Sequence, residues 1–125
     1  MSKLLTDVEL ELMNILWKLG EGSVHDVLAL MSADRKLAYT SVSTMLRILE
    51  QKKVLVSRKE GRGHLYSPLL TKQSYESTSL HHLVENVFDG TPATLVKRLL
   101  DSEKLSNDEL KSIKALFTER LQKNS

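Results

Sequence analysis

The sequence predicts a mainly α chain with one small β-hairpin: an N-terminal domain over residues 1–70 and a helical part over residues 71–125. Three observations carry that expectation. Helix-start signals recur at Thr6 with Glu9, Ser23 with Asp26 and Ser106 with Glu109, each before apolar residues at helical spacing. Residues 54–68 read as two short strands around a glycine-marked turn. After Leu70 the pattern changes to short amphipathic stripes only.

The first helix is expected over residues 6–19. Thr6 and Glu9 form a capping box, Val8, Leu12, Ile15, Leu16 and Leu19 share one face, and Gly20 stops it. Leu10, Met13 and Trp17 lie off that stripe, so this helix should be contacted on more than one side. Ser23 caps a short second helix with Asp26 at its third position and Val24, Val27, Leu28 and Met31 as its buried stripe. Leu37, in the connection that follows, is placed to supply one brief strand edge.

A third helix runs from Tyr39 or Thr40 to Lys52. At 100° per residue, Val42, Met45, Leu46 and Leu49 fall on one face; Thr40, Ser43, Thr44, Arg47 and Gln51 fall on the other. The polar face is small near its start, so a partner could approach the backbone closely while Arg47 reaches further. Hydroxyls and arginine suit base edges and phosphates, although an ordinary solvated face has the same composition. The following run, Val54 to Lys59, is apolar before turning basic; residues 60–63 make a turn, and residues 64–68 return as a strand. A helix pair followed by a hairpin with a basic tip is the winged helix-turn-helix arrangement, in which the third helix enters the groove and Arg58, Lys59 and Arg62 meet flanking phosphates.

The overall charge of +2 hides an asymmetry. Residues 35–64 carry eight Lys or Arg (35, 36, 47, 52, 53, 58, 59 and 62) against Glu50 and Glu60, a net +6, so the remainder sums to −4. One polyanion-facing segment in an otherwise acidic chain fits a DNA-binding module with a separate interaction region.

Past Leu70, one helix over residues 71–88 concentrates its apolar residues late, at Leu80, Leu83, Val84, Val87 and Phe88, and Asp89-Gly90 ends it. Thr91-Pro92 opens another, carrying Leu95, Val96, Leu99 and Leu100. The last starts at Ser106 and presents Leu110, Ile113, Phe117 and Leu121. These helices are too small to bury their stripes alone, and a second copy of the chain is the simplest cover. The expected homodimer contacts are Leu83, Val87, Leu95, Leu99, Leu110, Ile113 and Phe117.

Several classes are set aside by composition. No apolar run reaches the roughly 18 residues of a membrane span. Asp7, Glu9 and Glu11 interrupt any signal-peptide core, which points to a cytoplasmic location. There is no cysteine, hence no disulfide, thiolate site or cysteine nucleophile. His81 and Glu85 stand one helical turn apart, but two ligands are too few for a metal and an ordinary surface contact is the commoner outcome. No nucleophile context or glycine-rich phosphate loop is present, so neither an enzyme nor a cofactor is expected. The rival from another class is a winged helix that binds protein rather than DNA.

The segments LTDVELELMNILWKLGEGSVHDV, LAYTSVSTMLRILEQKKVL and RKEGRGHLYSP resemble, in the same order, the penicillinase and methicillinase repressor family (BlaI, MecI, CopY). The resemblance is strong over residues 4–70 and looser beyond. It implies a homodimeric bacterial repressor whose winged-helix domain sits on operator DNA and whose C-terminal helices dimerise. It also implies DNA contacts from Thr40, Ser41, Ser43, Thr44 and Arg47 in the third helix and from Arg58, Lys59, Arg62 and Tyr66 in the wing. The chain departs from the pattern in three places. Lys52-Lys53 stands where the family usually has Lys-Gly, and Ile48 where a basic residue is common. Arg98-Leu99 occupies the place of the Asn-Phe bond cut in antibiotic-responsive members, and the cysteine motif of copper-responsive members is missing. The releasing signal, an inducing protease or another effector, is therefore left open.

Overall fold

The computed structural model describes residues 4–35 and 37–124. Contacts divide the chain into two compact units, one ending at His81 and the other beginning at His82. The sequence placed the change of pattern at Leu70; the contact division falls inside a helix further on.

In the first unit, α1 (Asp7–Leu19) starts at Thr6 with both halves of the capping box made, and Gly20 ends it at φ +81°. A second capping box, Ser23 with Asp26, opens α2 (Val24–Leu30). A single 3₁₀ turn (Ala33–Arg35) leads toward α3 (Tyr39–Gln51). The hairpin pairs β1 (Leu55–Glu60) with β2 (Gly63–Pro68), antiparallel, with Ser57 opposite Tyr66 and Lys59 opposite His64. Gly61, at φ +59°, takes the first central place of the two-residue turn, where a side chain would strain the backbone.

The strand edge expected at Leu37 is not there. Gly22 takes that role: its N–H donates to the Tyr66 carbonyl at 2.9 Å, and the Tyr66 N–H donates back at 2.8 Å. The space is tight, since a Cβ on Gly22 would lie 3.1 Å from Leu19 Cδ1. Leu19, expected in the buried stripe, is 40% exposed, because the buried face of α1 instead runs through Leu12, Met13, Ile15 and Leu16.

The core joins those four side chains to Val24, Val27, Met31, Val42, Leu46, Leu49, Leu55 and Tyr66. Helical spacing puts three residues of α3 into it, which fixes the opposite face of α3 outward. Truncating fully buried Leu46 to alanine should cost about 2–5 kcal/mol, the usual range for a cavity of that size. Trp17 packs at the edge of this core and donates from Nε1 to the Leu70 carbonyl at 2.9 Å. Its ring lies 5.9 Å from Tyr75, whose hydroxyl accepts from the Leu5 N–H at 3.0 Å. The contacts of α1 outside the stripe thus hold the chain that leaves β2 and begins α4 (Lys72–Asn86).

The second unit holds the end of α4, then α5 (Pro92–Ser102) and α6 (Asn107–Lys123). Pro92 takes the first position of α5, and Ser106 with Glu109 closes the third capping box. No side chain in α4, α5 or α6 is fully buried. Val87 is 62% exposed, Phe117 52% and Leu121 70%. Among the described residues no helix is long and apolar enough to cross a membrane.

Candidate nucleic-acid interface

The outward face of α3 is set by its inward one. With Val42, Leu46 and Leu49 buried, Thr40, Ser41, Thr44, Arg47 and Gln51 are exposed and Ser43 is half-buried. Ala38, at the N-cap, brings no side-chain oxygen to the first turn, unlike Thr6, Ser23 and Ser106. The first-turn amides of α3 therefore lack a side-chain cap and can take an anion from outside. Tyr39, which the sequence marked only as an uncertain helix start, is 44% exposed there, its ring 4.7 Å from that of His25 on α2.

At its other end α3 closes without the glycine typical of such stops. Lys53 sits at φ +65°, its N–H donating to the Glu50 carbonyl at 3.0 Å, while the Val54 N–H donates to the Leu49 carbonyl at 2.9 Å. These two bonds make a full Schellman stop. The departure at Lys53 leaves the geometry in place and loads it with a side chain the left-handed region disfavours. Ile48, the other departure, is 40% exposed.

The hairpin register sorts the wing cations. Ser57, Lys59, His64 and Tyr66 share one face, since Ser57 faces Tyr66 and Lys59 faces His64. That face looks toward α3, because Ser57 Oγ donates to Glu50 Oε2 at 2.6 Å. Arg62 stands at the turn. Arg58 belongs to the opposite face, opposite Leu65.

Two residues grouped with the wing contacts turn out differently placed. Tyr66 is a core residue, only 5% exposed. It belongs to the core that also holds Val42, Leu46 and Leu49 of α3, and burial pushes its phenol up, with Glu50 adding to the rise and Arg47 opposing it. Its strand position puts the ring on the same face as buried Leu55; the DNA contact expected of it came only from the family resemblance. Arg58 is paired with two acids. Its Nε and Nη2 donate to the two carboxylate oxygens of Glu21 at 3.0 and 2.9 Å, and Nη1 donates to Glu60 Oε2 at 2.6 Å.

Charge pairing changes the electrostatic picture drawn from the sequence. Arg35 pairs with Glu11 at 3.0 Å, Lys52 with Glu9 at 3.0 Å and Arg58 with Glu21 at 2.9 Å. Three carboxylates from outside residues 35–64 thus meet three of its cations, leaving about half of the +6 locally uncompensated. Among the described residues, Arg47, Lys53, Lys59 and Arg62 have no carboxylate within 4 Å, and three of these, Arg47, Lys59 and Arg62, lie on the α3 face, the adjoining wing face and the tip.

The profile of the penicillinase repressor family matches residues 5–119. The chain belongs to this family. The penicillinase repressor of Bacillus licheniformis is 27% identical over 115 residues, spanning 92% of this chain and 90% of that one. The transcriptional regulator BlaI of Mycobacterium tuberculosis is 39% identical over 66 residues, which cover 52% of this chain and 48% of its own. Among solved structures, the DNA-binding domain of the repressor BlaI superposes with a TM-score of 0.51 at 31% identity, covering 60% of this chain and 94% of that domain. The winged helix-turn-helix is the architecture of the first unit.

Proposed function

We propose that the chain is a dimeric transcriptional repressor that places α3 in the major groove of a two-fold operator and rests its wing on the flanking backbone. The observation that supports this most is the exposed α3 face, small hydroxyls leading to Arg47, set beside Lys59 and Arg62, with no carboxylate among the described residues within 4 Å of any of the three cations. Thr40, Ser41, Ser43, Thr44 and Arg47 read base edges and phosphates; Lys59 and Arg62 bind phosphates. Tyr66 supports the reading helix from below instead of touching DNA. Two such helices related by a dyad call for pseudo-palindromic half-sites about one helical turn apart, or a multiple of it.

The helical part beyond Leu70 joins the two copies. Its support is the unburied apolar surface of α4 to α6, including Leu83, Val87, Leu99, Leu110 and Phe117, with Leu95 and Ile113 half-buried beside them. Leu116, 66% exposed, extends that surface and was missed because it lies one residue off the stripe. Leu110→Asp or Phe117→Asp should give monomers in light scattering at micromolar concentration, and unchanged dimers would place the interface elsewhere.

DNA binding is tested by titrating palindromic fragments from the protein's own promoter region at several salt concentrations. With three or four phosphates neutralised per subunit, log affinity should fall against log salt with a slope of about −5 to −7. Salt-insensitive binding, or no preference for any such fragment over random DNA, would leave the protein-binding winged helix as the better reading.

A further inference from the structure

Glu21 stands outside every element that reads or dimerises, yet its position is fixed more firmly than that of most surface acids. Gly20 turns the chain before it at φ +81°, and Gly22 after it is held to Tyr66 by two backbone hydrogen bonds. The carboxylate between them meets Arg58 two-pronged, at 3.0 and 2.9 Å, while Glu60, two residues along β1 on the same face, takes the remaining side of the guanidinium at 2.6 Å. Three of the five guanidinium N–H groups are committed, and the cluster carries two negative charges against one positive.

This arrangement has a consequence for a protein that meets DNA. A phosphate approaching the outer wing face finds a cation that already faces two carboxylates; the Arg58 side chain stays 56% exposed, but its fork is turned to Glu21, and a phosphate must compete with two negative charges for it. Among the described residues, Lys59 and Arg62 carry no such restraint. The hydrogen bond from Arg58 holds the Glu21 carboxyl below its usual range, so the acid stays ionised wherever the protein is folded near neutral pH.

Resting on the DNA-binding reading, we propose that Glu21, with Glu60, withholds Arg58 from the phosphate backbone and thereby limits the protein's sequence-independent affinity for DNA. Phosphate contacts strengthen binding to all sequences alike, so one contact withheld per subunit lowers competition from random DNA without touching the reading face. The acids act through Arg58; they are specificity-determining residues that touch no base.

A double-mutant cycle on the full chain tests this, using fluorescence anisotropy with a random-sequence duplex and with the operator duplex from about 50 to 300 mM salt. Glu21→Gln should tighten random-duplex binding at low salt and steepen the salt slope by about 2 per dimer, the value for one new phosphate contact in each subunit. The ratio of operator to random affinity should fall. In an Arg58→Gln background the same Glu21→Gln change should produce no gain. An equal gain in both backgrounds would assign the effect to net charge alone and overturn the proposal, as would no gain in either. Circular dichroism of each variant confirms folding, and Glu60→Gln supplies an independent release of Arg58 should Glu21→Gln disturb the turn. Failure of the wild-type chain to bind either duplex would instead count against the DNA-binding reading itself.

Discussion

Ser57 Oγ donates a 2.6 Å hydrogen bond to Oε2 of Glu50, tying the first wing strand to the last turn of the outward-facing helix. The bond fixes the angle between the two parts expected to meet DNA, and its acceptor is charged, which places it among the stronger side-chain bonds. Ser57→Ala should lower stability by about 1–2 kcal/mol in urea denaturation, the range for a hydrogen bond to an ionised partner. It should also weaken operator binding, since wing and helix no longer hold one geometry. Unchanged stability together with unchanged operator affinity would show that packing alone sets that angle.

Lys53 offers the opposite kind of change. Its φ of +65° is a conformation glycine adopts freely and lysine does not, and both hydrogen bonds of the helix stop are backbone bonds that a substitution keeps. Lys53→Gly should therefore raise the urea midpoint by an amount corresponding to about 1 kcal/mol, even though glycine also gains freedom in the unfolded chain. A lower midpoint would mean that the lysine side chain contributes contacts outweighing its backbone strain.

Glu9 links the start of α1 to the end of α3. Only 7% exposed, it accepts from the Thr6 N–H at 3.0 Å and from Lys52 Nζ at 3.0 Å. Burial pushes its carboxyl up, but the Thr6 amide and the Lys52 ammonium together outweigh burial and hold it below the ordinary value of 4.5. A carboxyl lowered on folding stabilises above its unfolded value and loses that contribution as pH falls through the folded value. Glu9→Gln should cost about 1–2 kcal/mol at pH 7, and its gap to the wild type should close as pH falls below about 4.5. Parallel denaturation curves at pH 7 and pH 4 would reveal it; a gap that stays constant across that window would rule out the carboxylate as its source.

What the sequence revealed and what it hid follow the distance over which each feature is decided. Thr6 and Glu9, Ser23 and Asp26, and Ser106 and Glu109 are three residues apart, so a capping box is a local pattern and all three formed. The hairpin is equally local, with Gly61 marking its turn, and the apolar face of α3 follows from 3.6-residue spacing. Arg58 and Glu21 are 37 positions apart and Lys52 and Glu9 are 43 apart, so no local pattern announces that these charges meet. A charge count therefore overstated how much cation is free. Tyr66 was misplaced for a related reason: strand alternation says that it shares a face with Ser57 and Leu55, but only packing against the helices, which buries Leu55, makes this face the inner one. The strand edge sought at Leu37 lies at Gly22, in the connection between α1 and α2, where a Cβ would sit 3.1 Å from Leu19 Cδ1.

The division of labour between Arg47 and Arg62 is the centre of the functional reading. Arg47 projects from the α3 face beside Thr44, while Arg62 stands at the hairpin turn, and neither has a carboxylate partner among the described residues. Affinities of the wild type, Arg47→Ala and Arg62→Ala for an operator duplex and a random duplex, taken across a salt series, separate the two roles. Arg62→Ala should weaken both duplexes by the same factor and flatten the salt slope by about 2 per dimer, leaving their ratio unchanged. Arg47→Ala should lower the ratio itself, by the equivalent of about 1–3 kcal/mol for each lost base contact. An altered ratio for Arg62→Ala with an unaltered one for Arg47→Ala would put sequence reading in the wing and overturn the assignment of α3.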